Sequence, residues 1–146
     1  MNAPASTPGL LVAGSANLDF VVQVPHIPAP GETVLGRSLQ TFPGGKGANQ
    51  AIAAARAGAV PTAMLLALGA DGQAAPIENA LREAGVQLHI VRSDTLPTGM
   101  AFIGLTNEAE NAITVAPGAN AALLPQHLPA MVGVSHLLLQ LETPLA

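Results

Sequence analysis

Short apolar runs that end at glycine alternate along this chain with stretches of helix formers, and that order leaves few folds open. Leu10-Leu11-Val12-Ala13 stops at Gly14-Ser15, residues 62–68 and 86–91 read as further buried strands, and His136-Leu137-Leu138-Leu139-Gln140-Leu141 closes the series. Apolar strands of this kind belong to parallel sheets buried on both faces, and the intervening helices supply the crossovers that parallel strands need. Residues 47–57 are nearly all Ala or good helix formers, with Gly58 as the stop. A second helix is expected to open near Pro76 at its first position, with Ile77, Ala80, Leu81 and Ala84 on one face, Glu78 and Arg82 paired on its surface, and Gly85 at its end. Residues 20–24 and 38–42 read as strands, and residues 98–106 and 112–115 as a hairpin, together forming a small sheet apart from the main one. Residues 123–131 are expected to form a short helix started by proline. Two good helices are too few to cover both faces of a sheet of three or four central strands, so the sheet is expected to be unfinished.

Composition narrows the class. A chain of 146 residues suffices for one domain with a core, and charged residues make up 10% where about 25% is usual, a hint of surface meant to be covered. Between Glu110 and Glu142 no Asp, Glu, Lys or Arg occurs, yet prolines and glycines interrupt the stretch too often for a membrane helix, so it reads as buried core. The first nine residues show neither a secretory nor a transit pattern, which makes the cytoplasm the expected location. The absence of cysteine excludes disulfides and thiolate metal sites, and His26, His89, His127 and His136 lack metal-ligand spacing. The five basic residues are scattered singly, and neither Trp nor Tyr is present, so a nucleic-acid surface is not expected. A small polar ligand suits this inventory better.

One segment has specific chemistry. Pro43-Gly44-Gly45-Lys46-Gly47-Ala48-Asn49-Gln50-Ala51 runs straight into the first helix, as a turn that would bring bare backbone N–H groups, a lysine and an asparagine amide to a helix start. It is not a P-loop, because no Ser or Thr follows the lysine and the Gly-x4-Gly-Lys frame is missing. Asn17 and Asp19 fall just past the carboxyl end of the first strand, the edge where open α/β sheets bind ligands.

Residues 44–58, with Gly45-x-Gly47-x-Asn49-x-Ala51 and a glycine seven residues on, resemble the N-terminal signature of the ribokinase-like (PfkB) family of carbohydrate kinases. The resemblance extends in order through Gly14-Ser15-Ala16-Asn17-Leu18-Asp19, Pro30-Gly31-Glu32-Thr33-Val34, Thr98-Gly99, Glu110-Asn111, residues 117–123 and Gln140-Leu141-Glu142-Thr143-Pro144, covering nearly the whole chain. It implies an α/β ribokinase-like parallel sheet with helices on both faces, a small β-sheet lid over residues 20–42 and 98–116, and a chain that forms the N-terminal, sugar-binding portion with the C-terminal half of the fold absent.

By the same resemblance Asp19 accepts hydrogen bonds from adjacent sugar hydroxyls with Asn17 beside it. Gly44 and Gly45 let the backbone approach the sugar, Lys46 and Asn49 donate to sugar oxygens, and Glu142 closes the far side. Ala101 and Ile113 would pack on the sugar. An ionised carboxylate can accept from two vicinal hydroxyls at once, and such charge-assisted bonds are strong. Singly, each residue has an ordinary explanation: Asn-x-Asp caps its own backbone, Lys46 is solvated, Glu142 partners a helix dipole. Their coincidence with the family pattern favours the sugar site over a glycosidase-like pairing of Asp19 with Glu142.

The implied reaction transfers the ATP γ-phosphate to the 5-hydroxyl of D-ribose, with Mg²⁺ and a monovalent cation such as K⁺. The base, the anion hole and the nucleotide pocket would follow the Glu142 strand, so the 146-residue chain is expected to be inactive alone. A homodimer through the lid is the implied assembly. Another sugar or nucleoside kinase, or a non-catalytic sugar-binding fragment, remains as an alternative.

Overall fold

In a computed structural model the described residues are 9–58 and 60–144, so the N-terminal stretch read above for targeting signals lies outside them up to residue 8. Four strands form a parallel sheet in the order β5 (Gln87–Ser93), β4 (Thr62–Gly69), β1 (Gly9–Ala13), β8 (Val134–Leu139). Helix α1 (Lys46–Ala57) precedes β4, and α2 (Ala74–Glu83) carries the chain from β4 to β5. Alternation along the strands sorts the core into two layers. Val12, Met64, Leu66 and Leu68 pack against Ala48, Ala51, Ile77 and Leu81 on the side of both helices. Leu11, Ala13, Leu65 and Ala67 face the other way, against Ala119 of a 3-10 turn over Gly118–Ala122 and Leu123 just after it. The small side chains of α1 let it lie close to the sheet.

The second sheet has the order β3 (Ser38–Gly44), β2 (Asn17–Gln23), β6 (Gly99–Leu105), β7 (Asn111–Ala116). β2 is antiparallel to β3 and parallel to β6, and β6 and β7 form the expected hairpin. Only residues 14–16 separate β1 from β2, so the chain leaves the main sheet and enters the small one almost at once. Phe20 and Phe102, paired across β2 and β6, stack with ring centroids 5.5 Å apart.

Three expectations change. Residues 123–131 do not form a helix: a single 3-10 turn over Pro125–His127 is closed by the Leu128 amide donating to the Pro125 carbonyl at 3.1 Å. Pro129 then disfavours helical backbone at Leu128, so the turn cannot propagate. The apolar run that ends the chain is not buried. β8 is an edge strand that pairs with β1, and Leu139 and Leu141 are 60% and 80% exposed. The cause is that, among the described residues, no strand pairs with its far side. Finally, α2 opens at Ala74 rather than at Pro76, and Glu78 lies at 8% exposure rather than on the surface, held by Arg82 at 2.7 Å and by Arg92 of β5. Among the described residues no helix is long and apolar enough to cross a membrane.

Candidate functional site

Where β1 crosses into β2, the backbone of residues 14–17 lies against the start of α1, and glycines make that approach possible. A Cβ on Gly47 would stand 2.6–2.7 Å from backbone atoms of Gly14 and Ser15, and one on Gly45 2.7–2.9 Å from backbone atoms of residues 15–17. Gly45 also has φ +91, a conformation that L side chains rarely adopt. Two of the N–H groups at this helix start find partners in the crossing itself. Ala48 donates to the Ser15 carbonyl at 2.9 Å and Gly47 to the Ser15 hydroxyl at 3.4 Å. The tight crossing supplies these two acceptors itself, and the side chains around it add the charged and amide groups.

Those side chains surround a cavity of about 220 Å³ lined by Asn17, Asp19, Gly45, Lys46, Asn49 and Glu142 on its polar side. Ala101 and Ile103 of β6 and Ile113 and Val115 of β7 form an apolar wall opposite. The volume is below the roughly 300–1,000 Å³ of pockets that take drug-sized ligands, which suits a smaller molecule. Eight of the nine residues expected from sequence thus line one hollow. Gly44 does not. A Cβ there would fall on the Asp19 carboxylate, so its bareness makes room for that side chain. Two larger hollows, about 430 and 340 Å³, include no carboxylate in their linings.

Glu142 is held in place by three groups. The Ser15 hydroxyl donates to its Oε2 at 2.7 Å, Lys46 Nζ pairs with its Oε1, and its own N–H donates to Gln140 Oε1 at 2.6 Å. Burial pushes the Glu142 carboxyl upward, but the hydrogen bonds from Lys46 and Ser15 and the lysine charge outweigh it and hold the carboxyl below its ordinary range. Asp19 is the opposite case. Burial, and then the charge of Glu142, push its carboxyl above the ordinary value. The two acids therefore differ in role: one is neutralised by its own lysine, while the other faces the cavity with no protein donor among the described residues. A half-buried carboxylate without a donor is an acceptor for ligand hydroxyls.

Sequence reasoning did not assign Ser15, Ile103, Val115 or the buried Asn120. Ile103 and Val115 follow from strand periodicity once Ala101 and Ile113 are placed, since alternate residues share a face. Ser15 and Asn120 gain their roles only through contacts with residues distant in sequence.

The chain is thus an α/β protein in which a parallel sheet runs on through its first strand into a second, small β-sheet, with a polar cavity between that sheet and the start of α1. Residues 8–142 match the model of the pfkB family of carbohydrate kinases, and the chain belongs to that family. It is 43% identical over 142 residues to the ribokinase of Haemophilus influenzae, covering 94% of this chain and 46% of the relative. It is 41% identical over 140 residues to that of Bacillus subtilis, covering 92% and 47%. The solved structure of Arabidopsis thaliana ribokinase complexed with ribose and ATP superposes with a TM-score of 0.80 at 35% identity, over 94% of this chain and 46% of that one. The chain spans about half the length of the relatives it matches.

Proposed function

We propose that this chain holds the sugar of a ribokinase: an ATP-dependent kinase that phosphorylates D-ribose at its 5-hydroxyl to ribose 5-phosphate, in ribose catabolism in the cytoplasm. The observation that carries this reading is the gathering of Asn17, Asp19, Lys46, Asn49 and Glu142 around one cavity beneath an apolar roof. A pentose presents hydroxyls on its rim and C–H groups on its faces. Asp19 would accept from two vicinal hydroxyls, Asn17, Lys46 and Asn49 would donate to sugar oxygens, and Ala101, Ile103, Ile113 and Val115 would cover a C–H face. Gly45 would keep the backbone close to the sugar, and Gly44 would leave room for the Asp19 carboxylate. The relatives named ribokinase, and one solved in complex with ribose and ATP, support the choice of sugar and of phosphoryl donor.

Phosphoryl transfer depends on positioning and on charge stabilisation more than on covalent steps by the protein. In this reading residues 9–144 supply the first. No residue here is assigned as the base or to the nucleotide, and the proposal places both outside these residues. Mg²⁺ and K⁺ would accompany ATP, but among the described residues no cluster of three or more His, Asp or Glu side chains could hold a metal ion, so none is named as a ligand. Half-exposed Phe42, Leu39 and Phe102 on the lid suit pairing of two copies into a homodimer.

The test is calorimetric titration of the 146-residue chain with D-ribose, D-fructose and adenosine, beside a coupled assay with ribose and ATP. Saturable heat with ribose, weaker heat with the other two and no turnover are expected. Tighter binding of adenosine would favour a nucleoside kinase, and turnover at enzyme rates would overturn the placing of base and nucleotide site outside residues 9–144.

A further inference from the structure

Asn120 sits in the 3-10 turn after β7, 1% exposed and 103 residues from Asn17, yet its side chain makes three hydrogen bonds to Ala16 and to Asn17, which lines the cavity. Its Oδ1 accepts from the Ala16 N–H at 2.9 Å, and its Nδ2 donates to the Ala16 carbonyl at 3.1 Å and to Asn17 Oδ1 at 2.8 Å. The two backbone partners leave no freedom in how the Asn120 amide is oriented, because a backbone N–H can only donate and a carbonyl can only accept. That fixed Nδ2 in turn requires an acceptor from Asn17. The Asn17 amide must therefore turn its oxygen inward, and its NH₂ is the end left for the cavity that Asn17 lines.

The loop geometry serves the same contact. Ala119 donates to the Pro97 carbonyl at 2.7 Å, docking the turn on the segment that leads into β6. Gly118, with φ +51, permits the approach. A Cβ on Gly99 would occupy the place where Asn120 Nδ2 meets Asn17 Oδ1.

We infer that Asn120 is a positioning residue that sets the polarity of the site, forcing Asn17 to present a donor beside the acceptor Asp19, so that the pair selects a hydroxyl able to accept from one and donate to the other. This rests on the sugar-binding reading above only for the nature of the ligand. The amide orientation follows from the hydrogen bonds alone.

The decisive variant is Asn120→Asp. One oxygen of the introduced carboxylate still accepts from Ala16 N–H, but the other cannot donate, so the Asn17 amide must rotate and turn its NH₂ inward. Two readouts on ¹⁵N-labelled protein separate this from a merely structural role. In the unaltered chain the Asn17 side-chain NH₂ protons should exchange rapidly with water from the open cavity. In Asn120→Asp they should become protected, and D-ribose affinity should fall about tenfold or more, as expected for replacing a donor by an acceptor against a ligand oxygen. Equal exchange of the Asn17 NH₂ protons in both proteins, or ribose affinity within twofold in a folded Asn120→Asp, would overturn the inference. Should that variant not fold, Asn17→Asp keeps the bond from Asn120 while placing an oxygen toward the cavity. It should fold and lose ribose affinity by a similar factor, and unchanged affinity would equally overturn the inference. If the unaltered chain binds no ribose, the sugar reading fails, while the exchange measurement still decides the amide orientation.

Discussion

Replacing Thr98 by valine tests how the lid is fastened to the main sheet. Thr98 lies just before β6, is 0% exposed, and its hydroxyl donates to Asp71 Oδ1 at 2.7 Å while accepting from the Gly69 N–H at 3.1 Å. Its own N–H donates to Asp71 Oδ2 at 2.7 Å. The hydroxyl thus joins the end of β4, the loop after it and the entry to the lid strand. Valine matches the shape but removes both side-chain bonds and leaves the buried Gly69 N–H without a partner. A hydrogen bond to a charged group is worth about 1.5–3 kcal/mol, and an orphaned buried donor costs about 1–3 kcal/mol, so Thr98→Val should destabilise by roughly 3 kcal/mol. For a domain near 150 residues that corresponds to about 6–12 °C in Tm. Thermal unfolding followed by circular dichroism at neutral pH measures it, with Thr98→Ser as the variant that restores the bonds. The pH dependence adds a second check. Burial acts to raise the Asp71 carboxyl, but the bonds from Thr98 and from the Gln73 and Ala74 amides outweigh it and hold it below 3.8. A depressed folded-state value means the stabilisation is present above the ordinary carboxylate range and is lost as pH falls through the lower folded value. The gap between Thr98→Val and the parent should therefore narrow in acid, down to the part that comes from the orphaned Gly69 N–H, which does not titrate. A loss under about 0.5 kcal/mol at neutral pH, the size usual for surface substitutions, would refute the clamp.

Further outcomes follow from the site itself. Asp19→Asn removes the charge from bonds to two sugar hydroxyls and should weaken D-ribose binding by about 100-fold, corresponding to about 3 kcal/mol, measured by calorimetry. Because burial and Glu142 raise the Asp19 carboxyl, ribose affinity should be full at neutral pH and fall as pH drops through a midpoint above 3.8; Glu142→Gln should move that midpoint downward in a titration series. Gly45→Ala imposes a side chain at φ +91 and against three backbone atoms, so it should cost about 1–3 kcal/mol or more in denaturant unfolding, whereas a fully stable variant would show that the crossing relaxes easily.

Much of this fold follows from local pattern. The strand read at 62–68 is β4 over Thr62–Gly69, and the alanine-rich helix read at 47–57 is α1 over Lys46–Ala57, because apolar run length, glycine stops and helix propensity are properties of neighbouring residues. The polar rim of the cavity was legible for a different reason. Asn17, Asp19, Lys46 and Asn49 each have an ordinary local explanation, and only their joint match to the family pattern singled them out. What the residues alone could not reveal depends on partners far along the chain. Leu137, Leu138 and Leu139 read as core, yet whether an apolar strand is buried depends on what covers it, and β8 has β1 on one side only. Asp71 with Thr98, and Asn120 with Asn17, become informative only when loops 27 and 103 residues apart meet. Ser15 reads as a turn residue, and its bond to Glu142 spans 127 residues.

The most direct measurement is a crystal structure of the chain grown with saturating D-ribose. Density for one pentose should lie between Asp19 and the Ala101–Ile113 wall, with two of its hydroxyls within hydrogen-bond distance of the Asp19 carboxylate and Asn17 Nδ2 on a sugar oxygen. An empty cavity at saturating ribose, or a sugar bound elsewhere on the molecule, would contradict the assignment of this hollow as the sugar site.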